Sequence, residues 1–312
     1  MMGSKPDWDA VAADLGPQAR RDKPLADHTA MRVGGPADVL VVCPRVDDVL
    51  HAVKVARRHQ VPWRVLGDGC NVLAADAGVA GLVIVNETTQ IEFDGPVVLA
   101  EAGAPLAVLA RETVARGLAG LEWAAGLPGS VGGAVVGNAG AFDGDIAAVL
   151  RQATVLDPES GEVLTCPNAW FEFDYRLSRI KRQSEQGQRS IVLTASFDLE
   201  PGDVQQIQER LDEILEWRRT RHPNGATMGS TFKNPPGSHA GYLIEQAGLR
   251  GYQIGGARIS DMHGNFFMNT GTATAADVLA LIQHAQAVVE AQFGFVLEPE
   301  IEFIGRWGNG AS

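Results

Sequence analysis

The sequence predicts a mixed α/β or α+β protein of about two domains. Its 312 residues amount to two domains at roughly 150 residues each. Its opening third alternates strand, helix and strand patterns. Its composition, 45% hydrophobic and 21% charged, is that of an ordinary globular chain.

Residues 1–18 are polar and broken by Gly16 and Pro17, and read as a loose arm. Residues 37–42 (ADVLVV) form a strand pattern, and 46–60 place apolar residues at helical spacing. Strands follow at 62–66, 81–85 and 97–100, then a helix over 105–116 closed by Gly117. Further strands fall at 151–156, 162–164 and 190–199, the last alternating as a half-buried strand does. Residues 203–221 make a long amphipathic helix. Residues 240–247 form a helix stopped at Gly248. A last helix over 274–293 has Thr274 as N-cap, Asp277 three residues on and Gly294 as its stop. Residues 296–304 alternate as a strand, with Glu298, Glu300 and Glu302 on one face.

The net charge of −12 argues against non-specific nucleic-acid binding, which needs a basic face to release phosphate counterions. No window of 18 apolar residues occurs, so no membrane span is expected, and the first residues lack a signal-peptide pattern. Cys43, Cys70 and Cys166 are far apart and match neither a zinc spacing nor a disulfide framework, which fits a reducing cytoplasm.

Glycine is abundant, 36 residues, and clustered. Gly67-Asp68-Gly69-Cys70-Asn71 follows a strand and looks like half a dinucleotide fingerprint, with Glu87 twenty residues on. The third glycine position is Val72, and too few residues precede the next strand for a crossover helix. A loop wrapping a phosphate with its N–H groups, or a tight turn, remains. Six glycines fall within the fifteen residues 126–140. A backbone without Cβ atoms can lie against a flat or charged ligand. The Gly-Lys-Ser/Thr ending of an ATP-binding loop is missing. Tyr175-Arg176 could clamp a carboxylate. The Gly229-Ser230-Thr231-Phe232-Lys233-Asn234-Pro235 loop offers groups for acid–base work or phosphate binding, without a hydrolase elbow.

In order and spacing these segments resemble the UDP-N-acetylenolpyruvoylglucosamine reductase family. Thr29–Asp38, Leu243–Leu249, Ile254–Ala257, Asn269–Thr274 and Glu298-Pro299-Glu300 extend the likeness from about His28 to Gly305. Departures are Cys70 where the family has Ser, Arg221 where Lys is usual, and a short 223–229 segment. Only 53 residues lie between Arg176 and Ser230, so the chain resembles the shorter subgroup without a capping tyrosine loop.

The resemblance implies an α+β fold. A vanillyl-alcohol-oxidase-type FAD-binding region has two subdomains, 19–90 and 91–218, the second joined by 299–306. A substrate-binding domain spans 219–298, and 1–18 and 307–312 are loose termini. It implies non-covalent FAD, with NADPH as reductant and a sugar nucleotide as substrate, in a cytoplasmic monomer. Arg32 and Gly34 would contact FAD, with Gly67, Asp68, Gly69, Cys70 and Asn71. Pro128, Gly129, Ser130, Gly132, Gly133, Asn138, Gly140 and Ala141 would do the same from the second glycine loop. Ser230 would be the proton donor. Arg176 and Glu300 would polarise the substrate carboxylate, Glu300 carrying its proton to donate there. Tyr175, Arg221, Lys233, Asn234, His263 and Asn265 would contact substrate. Another FAD oxidoreductase of the same fold and a non-catalytic nucleotide-binding regulator are the alternative readings.

Overall fold

The computed structural model describes residues 6–183 and 189–308. The chain forms two compact units. Unit 1 holds residues up to Arg21, Val39–Asp68 and Gly81–Arg218; unit 2 holds Asp22–Asp38, Gly69–Ala80 and Arg219 onward.

Unit 1 has two apolar cores. In the first, the helix Val46–Arg58 buries Val49, Ala52, Val53 and Ala56, one face at helical spacing. They pack on Val39 and Val41 of the strand Pro36–Cys43 and on Leu82 and Ile84 of Val79–Asn86. Trp63–Leu66 pairs with Val79–Asn86 in parallel. The segment expected to be a loose arm contains a helix, Trp8–Leu15, capped by the Asp7 carboxylate. Its Val11 and Leu15 are buried in this core, and that burial anchors it.

The second core lies on a five-stranded antiparallel sheet. Its order is Val163–Pro167, Leu150–Leu156, Ile191–Asp198, Val97–Glu101, Ile91–Asp94. Leu106 and Leu109 from the helix Leu106–Val114 cover it, with Ile207 and Leu211 from Val204–Arg221. The central strand Ile191–Asp198 does not alternate as half-buried. Ile191 and Leu193 enter the first core, Val192, Ala195 and Phe197 the second, so both faces are apolar.

Unit 2 is built on an antiparallel sheet in the order Thr227–Ser230, Phe266–Asn269, Ala257–Ile259, Gln253–Ile254. The helix Ala275–Phe293 buries Val278, Leu281, Ile282, Ala285 and Val289 in its core. That helix starts with a capping box between Thr274 and Asp277 and ends at Gly294 with φ 73°. The Asp76 carboxylate also accepts from Ala275 N (2.8 Å) and Ala276 N (2.9 Å).

Two expectations about chain organisation change here. Residues 19–90 do not stay together, because Met31, Val33 and Leu73 belong to the unit 2 core. Residues 299–306 do not join 91–218: Glu302–Ile304 pairs in parallel with Val72–Ala74 inside unit 2. Only those three residues of the predicted 296–304 strand are strand, with one isolated bridge at Pro299. At the C-terminal end Trp307 packs with Phe303, ring centroids 5.7 Å apart; 309–312 lie outside the described residues.

Candidate active site

In unit 1 the glycine loop is shaped by close approach. A Cβ on Gly132 would stand 2.9 Å from Ala102 Cβ, and Gly132 N donates to Ala102 O at 2.7 Å. A Cβ on Gly67 would collide with the Ser130 hydroxyl, which brings the two glycine loops edge to edge within this unit. A Cβ on Gly144 would overlap the Trp123 indole. The helix Val131–Gly137 is capped by Ser130, whose Oγ accepts from Gly133 N at 3.3 Å. Val131, Gly132 and Ala134 donate their N–H groups to backbone carbonyls. This helix start is therefore filled from within, and its glycines serve approach more than donation. Gly133 is exposed, with only the Ser130 hydroxyl within contact of a Cβ placed there, at 3.5 Å, so a planar ring can reach the backbone there. Pro128 is exposed at the loop's start, Gly129 has φ 118°, and Gly140 and Ala141 pair with Asp145 and Gly144.

The Tyr175-Arg176 turn is bolted to this loop. Asn138, left-handed at φ 43°, donates from Nδ2 to Asp174 O (3.0 Å) and accepts at Oδ1 from Ala147 N (3.0 Å). Its amide is buried and hydrogen-bonded to backbone at both ends. Arg176, also left-handed at φ 56°, donates from Nη2 to Gly140 O at 2.6 Å. Ser178 Oγ donates to Val136 O at 2.6 Å. Tyr175 is half exposed, with the Arg176 guanidinium 5.1 Å from its ring centroid. Asp68 ends the first loop of this unit in solvent, yet surrounding protein and then the Glu87 carboxylate push its pKa up. Arg218 was not anticipated. It is half-buried on Gly126, and desolvation lowers its pKa.

In unit 2, Ser230 closes a strand, and the chain after it is gripped from both sides. Thr231 N donates to Asn265 O (2.8 Å), and Glu300 N donates to Thr231 O (2.8 Å). Lys233 N donates to Glu298 O (2.9 Å), and Phe232 bridges Pro299. Asn71 donates from Nδ2 to Glu300 O (3.1 Å) and accepts Glu302 N at its carbonyl (2.9 Å). Ser230 and Glu300 thus share one backbone strip, tied to Asn71. Thr231 Oγ1 is buried with no hydrogen-bond partner among the described residues. Lys233 pairs with Glu298, and the Asn234 amide oxygen accepts Ala240 N at 3.0 Å. Arg221 lies exposed at the end of its helix.

Other expected residues in unit 2 are placed by packing. Gly34, at φ 128°, lets its segment meet Ala74, since a Cβ there would stand 2.8 Å from Ala74 Cβ. Arg32 follows in the left-handed region at φ 56°. Gly69, at φ 60°, lies on Thr29, its carbonyl accepting Ala30 N at 3.1 Å, and Cys70 beside it is half-buried.

A cleft of ≈ 270 Å³ opens beside Ser230, lined by Asn234, Tyr242, Glu245, Arg250, His263 and Asn265 among others. Glu245 and Arg250 form an ion pair at 2.6 Å. His263 is held below the ordinary imidazole range by burial first, then by the Arg250 charge, with Glu245 opposing. Its Nδ1 accepts Asn265 N at 3.1 Å. The sequence did not single out Tyr242, Glu245 or Arg250. The only signal was a Glu and an Arg five residues apart across the Gly248 helix stop.

Comparisons with known proteins match two stretches of the chain. Residues 221–304 match the family described as "UDP-N-acetylenolpyruvoylglucosamine reductase, C-terminal domain", and residues 37–167 match "FAD binding domain". The UDP-N-acetylenolpyruvoylglucosamine reductase of Halalkalibacterium halodurans is 42% identical over 93% of this chain and 95% of its own. The Synechococcus reductase is 42% identical over 96% and 97%. The crystal structure of the Thermus caldophilus reductase superposes with a TM-score of 0.78 at 34% identity, covering 92% of this chain and 99% of that one.

Proposed function

The chain belongs to the UDP-N-acetylenolpyruvoylglucosamine reductase family, an FAD-dependent oxidoreductase family of α+β, vanillyl-alcohol-oxidase-type fold, and from that we propose that it reduces UDP-N-acetylglucosamine enolpyruvate to UDP-N-acetylmuramate with NADPH. The observation that carries the reading is the strip joining Ser230 to Glu300 through the 2.8 Å bond from Glu300 N to Thr231 O. It keeps the backbones of Ser230 and Glu300 in register, which supports the roles given to their side chains.

The residues present fit an isoalloxazine and its chain: Gly133 is exposed with only the Ser130 hydroxyl near its α-carbon, and Gly67 has no Cβ where its loop meets the Ser130 side chain. Gly67, Asp68, Pro128, Gly129, Gly133 and Gly140 are our candidates in unit 1, and Arg32, Gly69, Cys70 and Asn71 in unit 2. Bound FAD supplies the two-electron transfer from NADPH to the enolpyruvyl double bond. The chain's own residues do the rest. Arg176, oriented by Gly140 O, binds the substrate carboxylate. Glu300 donates to the same group and stabilises charge building on the adjacent carbon. The Ser230 hydroxyl delivers the proton to that carbon, completing addition of two hydrogens across the double bond. Lys233, Asn234, Arg250 and His263 line or flank the cleft for the sugar nucleotide, with Tyr175 and Arg221 as further contacts. A cytoplasmic monomer is the working state.

The test is a spectrum followed by turnover. The purified protein should be yellow, acid precipitation should release all its flavin, and NADPH oxidation should require the enolpyruvyl substrate. Colour that stays in the pellet, or NADPH oxidation that ignores the substrate, overturns the reading.

A further inference from the structure

Asn265 was expected to touch substrate, and its surroundings assign it another task. We infer that Asn265 is a positioning residue that holds the Ser230 loop in register with Glu300, and that it is not a substrate ligand. The inference rests on the functional reading above.

The side chain is 3% exposed although the residue borders the cleft. Its Oδ1 accepts Phe232 N at 2.9 Å, and its Nδ2 donates to Phe232 O at 2.8 Å. The amide thus imitates a neighbouring strand, taking both backbone groups of one residue. Its own carbonyl accepts Thr231 N at 2.8 Å. One asparagine therefore holds backbone groups of both residues that follow Ser230, Thr231 and Phe232. On the opposite side the same stretch is fixed to Glu298 and Glu300, through Lys233 N and Thr231 O. Removing the amide frees one edge of this three-layer stack and strands the Phe232 N–H and C=O in a dry site.

The brace also reaches the cleft wall. Asn265 N donates to His263 Nδ1, so in the neutral ring the proton belongs on Nε2. Burial and Arg250 favour that neutral ring. A ligand seated against His263 is thereby linked by backbone to the loop that carries the proton donor.

The experiment compares wild type, Asn265→Ala and Asn265→Asp, each reconstituted with FAD, by anaerobic stopped-flow absorbance of the flavin. Flavin reduction by NADPH should stay within about twofold of wild type. Reoxidation by the enolpyruvyl substrate should slow by ~10²-fold, the scale for a misplaced reacting group. Substrate affinity, read from the flavin spectrum, should change little. Asn265→Asp sets a carboxylate oxygen against Phe232 O, and only its protonated form can donate there. Its deficit against wild type should therefore shrink as pH falls, a rescue that a merely structural role would not give. A tenfold or larger loss of affinity with reoxidation intact makes Asn265 a ligand and overturns the proposal. Parallel loss of both half-reactions also overturns it. Hydrogen exchange keeps the test independent of the functional reading. In either variant the Thr231 and Phe232 amides should exchange faster while Ala275–Phe293 stays protected; unchanged exchange sinks the brace. If wild type itself is not reoxidised by the substrate, the functional reading fails and the exchange result still decides the brace.

Discussion

Unit 1 shapes its glycine-rich loop by leaving side chains out, and unit 2 shapes the loop after Ser230 by putting asparagine amides in. Around Gly126–Gly144, Gly132 and Gly144 allow contacts with Ala102 and Trp123 that any Cβ would block. Around Ser230, the amides of Asn71, Asn234 and Asn265 each take up backbone groups. The first device leaves a bare backbone surface; the second gives a loop held in place by hydrogen bonds. The devices should fail differently, glycine variants by steric displacement and asparagine variants by loss of register.

Gly144→Ala tests the steric side. The new Cβ overlaps the Trp123 ring, which is 4% exposed and donates from Nε1 to Gly120 O at 2.9 Å. The ring is buried and tied by its hydrogen bond, so overpacking should cost about 1–3 kcal/mol, read as a lower melting temperature. The ladder that carries Gly140, and with it Arg176, should shift as well. An unchanged melting temperature would mean that the close approach does not shape this loop.

A pH series sharpens the contrast, because the unit 2 network ends on a titrating group. Burial and Arg250 depress the His263 pKa in the folded state. The unfolded chain, near the ordinary value of ~6.5, takes up its proton first as pH falls. The contribution is thus fully present above that value and is lost as pH drops through it toward the folded value. Melting temperatures from pH 7.5 to 5 should fall more for wild type than for His263→Gln. Equal slopes would show that the imidazole is not held neutral. In unit 1, burial and the nearby Asp48 push the Cys43 thiol up to about 12. It should stay unlabelled by a thiol reagent near pH 8 that reaches the half-buried Cys70.

The smallest effect concerns Cys70 itself. Cys70→Ser replaces a weak sulfur donor by a hydroxyl of similar size, so flavin affinity should be unchanged or modestly tighter. A large loss of flavin would mean that the thiol fills an apolar spot that a hydroxyl cannot occupy.

How far composition and pattern reach follows from the same contrast. Val46–Arg58 was visible from its apolar spacing and Ala275–Phe293 from its cap and its Gly294 stop, because spacing and caps are local. The 296–304 alternation misled because only Glu302–Ile304 finds a strand partner, and that partner, Val72–Ala74, is far away in sequence. The Trp8–Leu15 helix was missed because two buried residues, Val11 and Leu15, suffice to anchor a short polar segment. Glycine clusters announce close approach, but not whether the neighbour is ligand or protein; Gly34 and Gly132 meet protein. Asparagine is harder still, since a ligand-binding amide and a bracing amide look alike until their partners are known. The amides of Asn138 and Asn265 both turn out to hydrogen-bond to backbone, and Arg250 became a candidate only once the fold set it beside His263.

The central claim is that Ser230 delivers a proton in the second half-reaction and has no part in the first. Ser230→Ala, loaded with FAD and followed by stopped-flow absorbance, tests it directly. Flavin reduction by NADPH should run at nearly the wild-type rate, while reoxidation by the enolpyruvyl substrate slows by ~10²-fold or more, the scale for losing a positioned proton donor. Equal slowing of both halves would make Ser230 a residue that shapes the site, and no slowing of either would remove this loop from the reaction.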